Sequence, residues 1–424
     1  MIDRWIIKSL MDTDFYKYPM GQFVWKYYPT VRVTSVLRIR TKNVHLGRIL
    51  DLGELREQLE HARTLRHTNS ELHYLRGTNE YRLRMFCEPY LEFLRHLALP
   101  EFHLERNGDD IDLRFEGLWC EQMYWETIAL AIVNELYSNK LMEPLTAFER
   151  EVVYATGRLR LAEKIKTLRQ HPTIKFSDFG SRRRFSAKWQ EYVDEVLRDE
   201  LPDQFLGTSN THFANRTGVV PMGTSAHELQ MVVAGLHEDD GTDDWLAVSQ
   251  REVIDRWWEE YNYGLSIFLP DTFGTDFFLR NLTRHDLEQW KGFRHDSGDL
   301  FTFGEKNILA RYQKEGIDHE KKLLIPSDGL TLGVMIRADD FFGNRIKVSD
   351  GWGTNLTNDL FDGSWRGDLF YGPLSLVIKP ILADGHHLVK LSDNLAKATG
   401  DPATIERYKR AAGYTNTDRV ECVY

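Results

Sequence analysis

From Thr173 onward the chain repeats one pattern: a short apolar or β-branched run, a cluster of small or charged residues, then a helical segment. The runs end near Phe176, Leu206, Pro221, Leu269, Phe293, Pro326 and Val348, and the clusters read SDFGSRRR, GTSNTHFAN, GTSAHE, PDTFGTD, RHDSGD, SDGL and SDGWGTN. Strands that hand over to helices each time cannot pair as hairpins, so they should lie parallel under a helical cover. Seven such units occupy roughly 180 residues, short of the about 250 of a full eight-fold barrel. The prediction is therefore an α/β fold with an irregular, incomplete, TIM-like α/β barrel over 146–360. In such a sheet every cluster leaves the carboxyl end of its strand, where parallel folds gather their chemistry.

The flanking segments follow a different grammar. Segment 1–145 contains a helical stretch, DFYKYPMGQFVWKYY, an alternating strand, VRVTSVLRIR, and the run FHLERNGDDIDLRF, in which Asn107-Gly108 separates two alternating halves and predicts a hairpin. EQMYWETIALAIVNELY predicts a helix, and Thr146 with Glu149 has the capping-box spacing for another that runs to about Gln170. Near the other end, LSLVIKP and HHLVKLS surround Asp384-Gly385, a second hairpin signal. Segment 361–424 is expected to return to 1–145, making an α+β domain from both chain ends.

Composition narrows the function classes. With 54 Lys plus Arg against 64 Asp plus Glu, the net charge of -10 argues against a general nucleic-acid binder, so any anion site must be local. Cys87, Cys120 and Cys422 are far apart and odd in number, which points away from disulfides and cysteine zinc sites and toward a reducing cytosol. The most apolar helix candidate is interrupted by Asn134 and Glu135, so neither a membrane span nor a signal peptide is expected. HExxH, GxSxG, P-loop and strand-borne GxGxxG patterns are missing from the sequence.

The clusters carry the candidate chemistry. In GTSAHE, Ser225 and Glu228 have capping-box spacing, which puts His227 in the first turn of a helix. There the helix dipole disfavours imidazolium and leaves a neutral, nucleophilic nitrogen, while backbone amides stand ready for phosphate. In SDFGSRRR an aromatic, Phe179, precedes three arginines suited to carboxylate or phosphate. FRHDSGD offers Arg294 for an anion and Asp296 for a ribose diol; Asp328 of PSDGL suits hydroxyls or Mg2+. Gly351, Gly353 and Thr354 present amides and a hydroxyl to a phosphate. Each cluster alone reads equally well as a polar turn; their recurrence on consecutive strands favours a ribose-phosphate site.

Taken in order, TDFYK, FSDFGSRRR, GTSN, GTSAHE, LPDTFGTDFFL, FRHDSGD, SDG, GWGTNL, VIKP and VKLSDN resemble the nicotinate phosphoribosyltransferases, type II phosphoribosyltransferases of NAD salvage, over nearly the whole chain. The resemblance implies an irregular α/β barrel plus a domain built from both chain ends. It implies transfer of a phosphoribosyl group from phosphoribosyl pyrophosphate to nicotinate, with Mg2+, and with ATP as cosubstrate hydrolysed through a phosphohistidine at His227. It further implies that Phe179 and Tyr16 sandwich the pyridine ring, Tyr16 coming from the partner of a homodimer with shared active sites. Asp14, Thr208 and Ser209 join the substrate-binding set; Arg182 and Arg294 hold carboxylate or phosphates, and Lys379, Lys390 and Lys397 reach pyrophosphate across the dimer interface. Ser209 stands where nicotinamide-using relatives carry an aspartate. A nicotinamide or quinolinate phosphoribosyltransferase and a catalytically silent metabolite sensor are the alternatives.

Overall fold

The computed structural model describes residues 4–80, 83–239 and 241–416; Cys422 lies outside them. After a buried entry segment, α1 (Lys17–Tyr27) leads to β1 (Arg32–Ile39), whose alternation turns Val33, Ser35 and Leu37 inward. β2 (Phe102–Asn107) and β3 (Asp110–Leu118) form the expected hairpin, turning on Gly108 and Asp109 with Gly108 at a positive φ of 60°. α2 (Trp125–Met142) is buried on nearly every face, as an apolar helix through a core must be. α3 (Ala147–Leu168) starts on the predicted capping box: the Thr146 hydroxyl accepts from the Glu149 amide, and the Glu149 carboxylate accepts from the Thr146 amide.

All seven predicted runs are strands: β4 (Phe176–Asp178), β5 (Phe205–Thr208), β6 (Val220–Pro221), β7 (Ile267–Phe268), β8 (Gly292–His295), β9 (Leu323–Pro326) and β10 (Lys347–Val348). An eighth, β11 (Asp350–Trp352), lies inside the cluster expected to be a phosphate loop. They are parallel, but they make two sheets of four, ordered β11-β4-β5-β6 and β10-β9-β8-β7. Among the described residues neither sheet closes, so the hydrogen bonding shows an α/β fold of two open parallel sheets and not a closed barrel. Strands of two to four residues supply few ladder bonds, and a single residue, Ser349, separates β10 from β11 where the chain passes between sheets.

The chain then returns. β12 (Leu376–Ala383) and β13 (His386–His387) join through Asp384 and Gly385, both at positive φ as the tight turn requires. β12 pairs antiparallel with β1 and completes a five-stranded sheet, β13-β12-β1-β3-β2, from both ends of the sequence. One hydrophobic cluster joins this sheet to Phe268, Phe293 and Leu324 of the β10-β9-β8-β7 sheet, and a second surrounds Phe176, Phe205 and Trp352. Cys87 and Cys120 are free thiols, and no helix among the described residues is long and apolar enough to cross a membrane.

Candidate active site

One pocket collects the carboxyl ends of both parallel sheets. Phe179 follows β4, Ser209 follows β5, Gly223 lies just beyond β6, Arg294 sits in β8 with Asp296 just after it, Asp328 follows β9 and Gly353 follows β11. The facing wall comes from the antiparallel sheet and its flanks: Asp14 and Tyr16 ahead of α1, Arg40 at the end of β1, Lys379 on β12, then Lys390 and Lys397. All of these line the pocket of their own chain. The β1–β12 pairing, with Lys379 opposite Val36, brings Lys379 to this wall.

Among the described residues seven basic side chains, Arg40, Arg182, Arg183, Arg294, Lys379, Lys390 and Lys397, line the pocket against three acidic ones, Asp14, Asp296 and Asp328. That surplus stands out on a chain of net charge -10. Burial lowers the Lys379 pKa, and nearby Arg182, Lys390 and Lys17 lower it further against the pull of Glu126. Cations crowded this way favour an incoming anion. Among the described residues the buried Arg294 Nε has no hydrogen-bond partner, while its terminal nitrogen donates to the Ser225 carbonyl at 3.1 Å.

His227 opens α4 (His227–His237), in the first turn as expected, but the cap differs from the expectation. Ala226 is the N-cap, and Glu228 has turned away from Ser225 to bond Lys17 and the Trp119 indole, each at 2.8 Å. A buried ammonium competes for that carboxylate more strongly than a backbone amide. The His227 Nε2 lies 2.7 Å from Asp271 Oδ1 and 3.5 Å from Asp296 Oδ2. Burial opposes ionisation of Asp271, but the charge of Lys390 and the hydrogen bonds from His227 and Ser297 hold that carboxyl well below the usual range. Lys390 stands 3.2 Å away and the Ser297 hydroxyl donates at 2.7 Å. The ionised Asp271 accepts only, so Nε2 carries the ring proton and Nδ1 keeps its lone pair. Burial first, then Lys390, bring the His227 pKa down to about 4 despite Asp271. The ring is neutral and oriented through the neutral pH range, the state that a nucleophilic imidazole requires.

The three arginines of SDFGSRRR have three different settings. Arg182 faces the pocket 3.1 Å from Asp14; Arg183 also lines it and donates to the Leu376 carbonyl at 3.3 Å. Arg184 is fully buried on Asp12, away from the pocket, with bonds of 2.5 and 2.8 Å. Two predicted residues also lie off the pocket. Thr208 is buried and donates to Asp178 at 2.8 Å, because the inward face of β5 points into the sheet's own polar interior. Gly351 lies beneath Phe179, where a Cβ would come within 2.5 Å of the ring carbons. Its contribution is room for that ring. Ser209 donates to Asp14 at 2.7 Å, and Gly353, Thr354, Phe179 and Tyr16 line the pocket. Asp271 and Arg40 were not singled out from sequence; the first follows an apolar run and the second ends an alternating strand, which was the available signal.

Basic groups, two aromatic rings and a neutral histidine, gathered at the ends of parallel strands, define the site of an enzyme that handles an anionic small molecule. The sequence profile of the nicotinate phosphoribosyltransferase (NAPRTase) family matches residues 174–416, and that of the NAPRTase N-terminal domain matches 11–134. The fold is similar to a nicotinate phosphoribosyltransferase from Vibrio cholerae, at 32% identity and a TM-score of 0.84 over 97% of this chain and 94% of that one. It is also similar to one from Porphyromonas gingivalis, at 29% identity and a TM-score of 0.81 over 96% of this chain and 100% of that one. The chain belongs to the nicotinate phosphoribosyltransferase family of enzymes.

Proposed function

We propose that this enzyme makes nicotinate mononucleotide and pyrophosphate from nicotinate and phosphoribosyl pyrophosphate in NAD salvage, and hydrolyses ATP through a phosphohistidine at His227. The observation that carries this is the buried, neutral His227, held by Asp271 at 2.7 Å, beside a pocket with a surplus of cations. The two open parallel sheets are, in this reading, the halves of one interrupted barrel.

Phe179 and Tyr16 offer faces for the pyridine ring, with Arg182 and Arg294 for its carboxylate or for phosphates. Asp296 takes ribose hydroxyls; Lys379, Lys390, Lys397, Gly353 and Thr354 surround the pyrophosphate. The ring nitrogen attacks the anomeric carbon as its bond to pyrophosphate oxygen breaks, through a sugar with oxocarbenium character. Positioning and cationic stabilisation of the leaving group supply the rate. In the ATP half-reaction the His227 Nδ1 attacks the γ-phosphorus, ADP leaves, and water later releases phosphate. Asp271 keeps the Nε2 proton in place throughout.

Asp296 and Asp328, carboxylates on the pocket wall, would hold Mg2+ together with substrate phosphates, Asp328 exchanging its ion pair with Lys397 for the metal. It would neutralise charge on the phosphates. His227 and Asp271 also approach Asp296, but a metal there would break the His227–Asp271 hydrogen bond that orients the ring, so that trio is a poorer cage.

The test is product formation followed by mass, with Mg2+, ATP and phosphoribosyl pyrophosphate, offering nicotinate, nicotinamide and quinolinate separately. Nicotinate mononucleotide with matching ADP is expected; another product, or none, rejects the reading. Ser209→Asp should raise the KM for nicotinate by about tenfold, since a new carboxylate would face both Asp14 and the incoming one. An unchanged KM would remove Ser209 from the pyridine end.

A further inference from the structure

A buried ion network lies behind the pocket, centred on a residue to which neither the motifs nor the reaction assigns a part. Glu126 stands at the start of α2 and is 4% exposed. One carboxylate oxygen accepts from the Tyr16 hydroxyl at 2.9 Å and pairs with the Lys17 ammonium at 2.8 Å. The other lies 3.3 Å from Lys379 Nζ and 3.5 Å from Arg182. Lys17, with no exposed side-chain surface, has its second partner in Glu228 at 2.8 Å, and Glu228 is the residue after His227.

A lone charge in this position would cost several kcal/mol, so the carboxylate is retained only with its partners in place. Burial works against ionisation of Glu126, yet Lys17, Lys379 and Arg182 hold it well below the usual range. One charge thus answers three cations and one phenol. Three of those four groups, Tyr16, Arg182 and Lys379, line the pocket, and the fourth leads to the helix that begins with His227. Without Glu126 the three cations would repel one another, and the Tyr16 ring would lose the bond at its far end.

We propose that Glu126 is a positioning residue for the anionic substrates: it fixes Tyr16, Arg182 and Lys379 as one unit and, through Lys17 and Glu228, fixes that unit to the helix of His227. The role in turnover rests on the functional reading above. The binding role stands without it.

Glu126→Gln keeps the side chain's size and removes its charge. The KM for nicotinate is expected to rise roughly tenfold with kcat within about threefold, and the affinity for inorganic pyrophosphate, measured by calorimetry, to fall by a similar factor. Glu228→Gln touches no pocket-lining group, yet should raise the same KM by roughly threefold. The double variant should cost less than the product of the two, as members of one network do. Loss of melting temperature alone, with KM and pyrophosphate affinity unchanged, would show a merely structural role and overturn the proposal; so would fully multiplicative effects. If the unaltered enzyme makes no nicotinate mononucleotide, the functional reading fails, and the proposal is decided by pyrophosphate. Weakened binding in Glu126→Gln then sustains it, and unaltered or absent binding overturns it. Should Glu126→Gln not fold, Glu126→Asp, which keeps the charge but shortens its reach, is expected to show the same effects at smaller size and is judged by the same outcomes.

Discussion

His227→Ala is expected to lower nicotinate-stimulated ATP hydrolysis by roughly a thousandfold or more, as loss of a covalent nucleophile does, while slow phosphoribosyl transfer persists without ATP. The two activities separate because the transfer step, as proposed, uses no side-chain nucleophile on the sugar. Its rate depends on the cations and rings of the pocket, which the substitution leaves standing. The measurement is ADP release and nucleotide formation from the same reaction. Normal coupled hydrolysis in the variant would take the phosphoryl role away from His227. Above the depressed pKa of about 4, the unaltered ring stays neutral, so the wild-type phosphorylation step should show no acid limb near the ordinary histidine pKa of about 6.5.

Asp12→Ala should destabilise the fold by about 3–5 kcal/mol, because it strands the Arg184 guanidinium in the interior. Arg184 is fully buried, and Asp12 receives both of its terminal nitrogens as well as the Asn210 amide at 2.7 Å. Thermal unfolding should reveal a fall of roughly 5 °C in Tm for a chain of this size. Burial opposes the charge on Asp12 but Arg184 wins, so its pKa lies below the normal aspartate value. Its contribution is therefore complete above the unfolded-state pKa of about 3.9 and is lost as the pH falls through the lower folded-state value. Asp12→Ala should remove that part of the acid sensitivity. Replacing both partners with leucines should cost less than removing Asp12 alone, since the guanidinium leaves with its carboxylate and only the looser contact with Glu135, at 3.8 Å, is lost besides. Wild-type stability in Asp12→Ala would refute this account.

Much of the parallel half was legible because strand and helix patterns alternate there, and each apolar run marked a strand end. The GTSAHE histidine was also legible in position, though not in its cap: the distant Lys17 drew Glu228 away from Ser225, and no local spacing encodes a contact 211 residues apart. β11 was missed because Asp350 and Gly351 are poor strand formers; pairing with β4 supplies what propensity does not. The SRRR run showed three equal cations, and only packing separated the buried Arg184 from the pocket pair. The lysines and Tyr16 pointed to the pocket, but the strand pairing that carries Lys379 there joins the two ends of the chain, and no local pattern encodes it. Glu126 left a trace, a carboxylate in an otherwise apolar helix, whose meaning appears only with its four partners.

The pairing of β1 with β12 also bears on how the protein is made. On a ribosome adding roughly 5–20 residues per second, Val36 is synthesised some 17–70 s before its partner Lys379. Through that interval one edge of β1 has no native neighbour, an invitation to pair with another nascent chain. Charged Arg32 and Arg38 on that strand act as gatekeepers meanwhile. Any premature stop upstream of Leu376 releases a polypeptide with an open edge and without Lys379, Lys390 or Lys397, so quality control would meet an inactive, adhesive fragment and never a partly working enzyme.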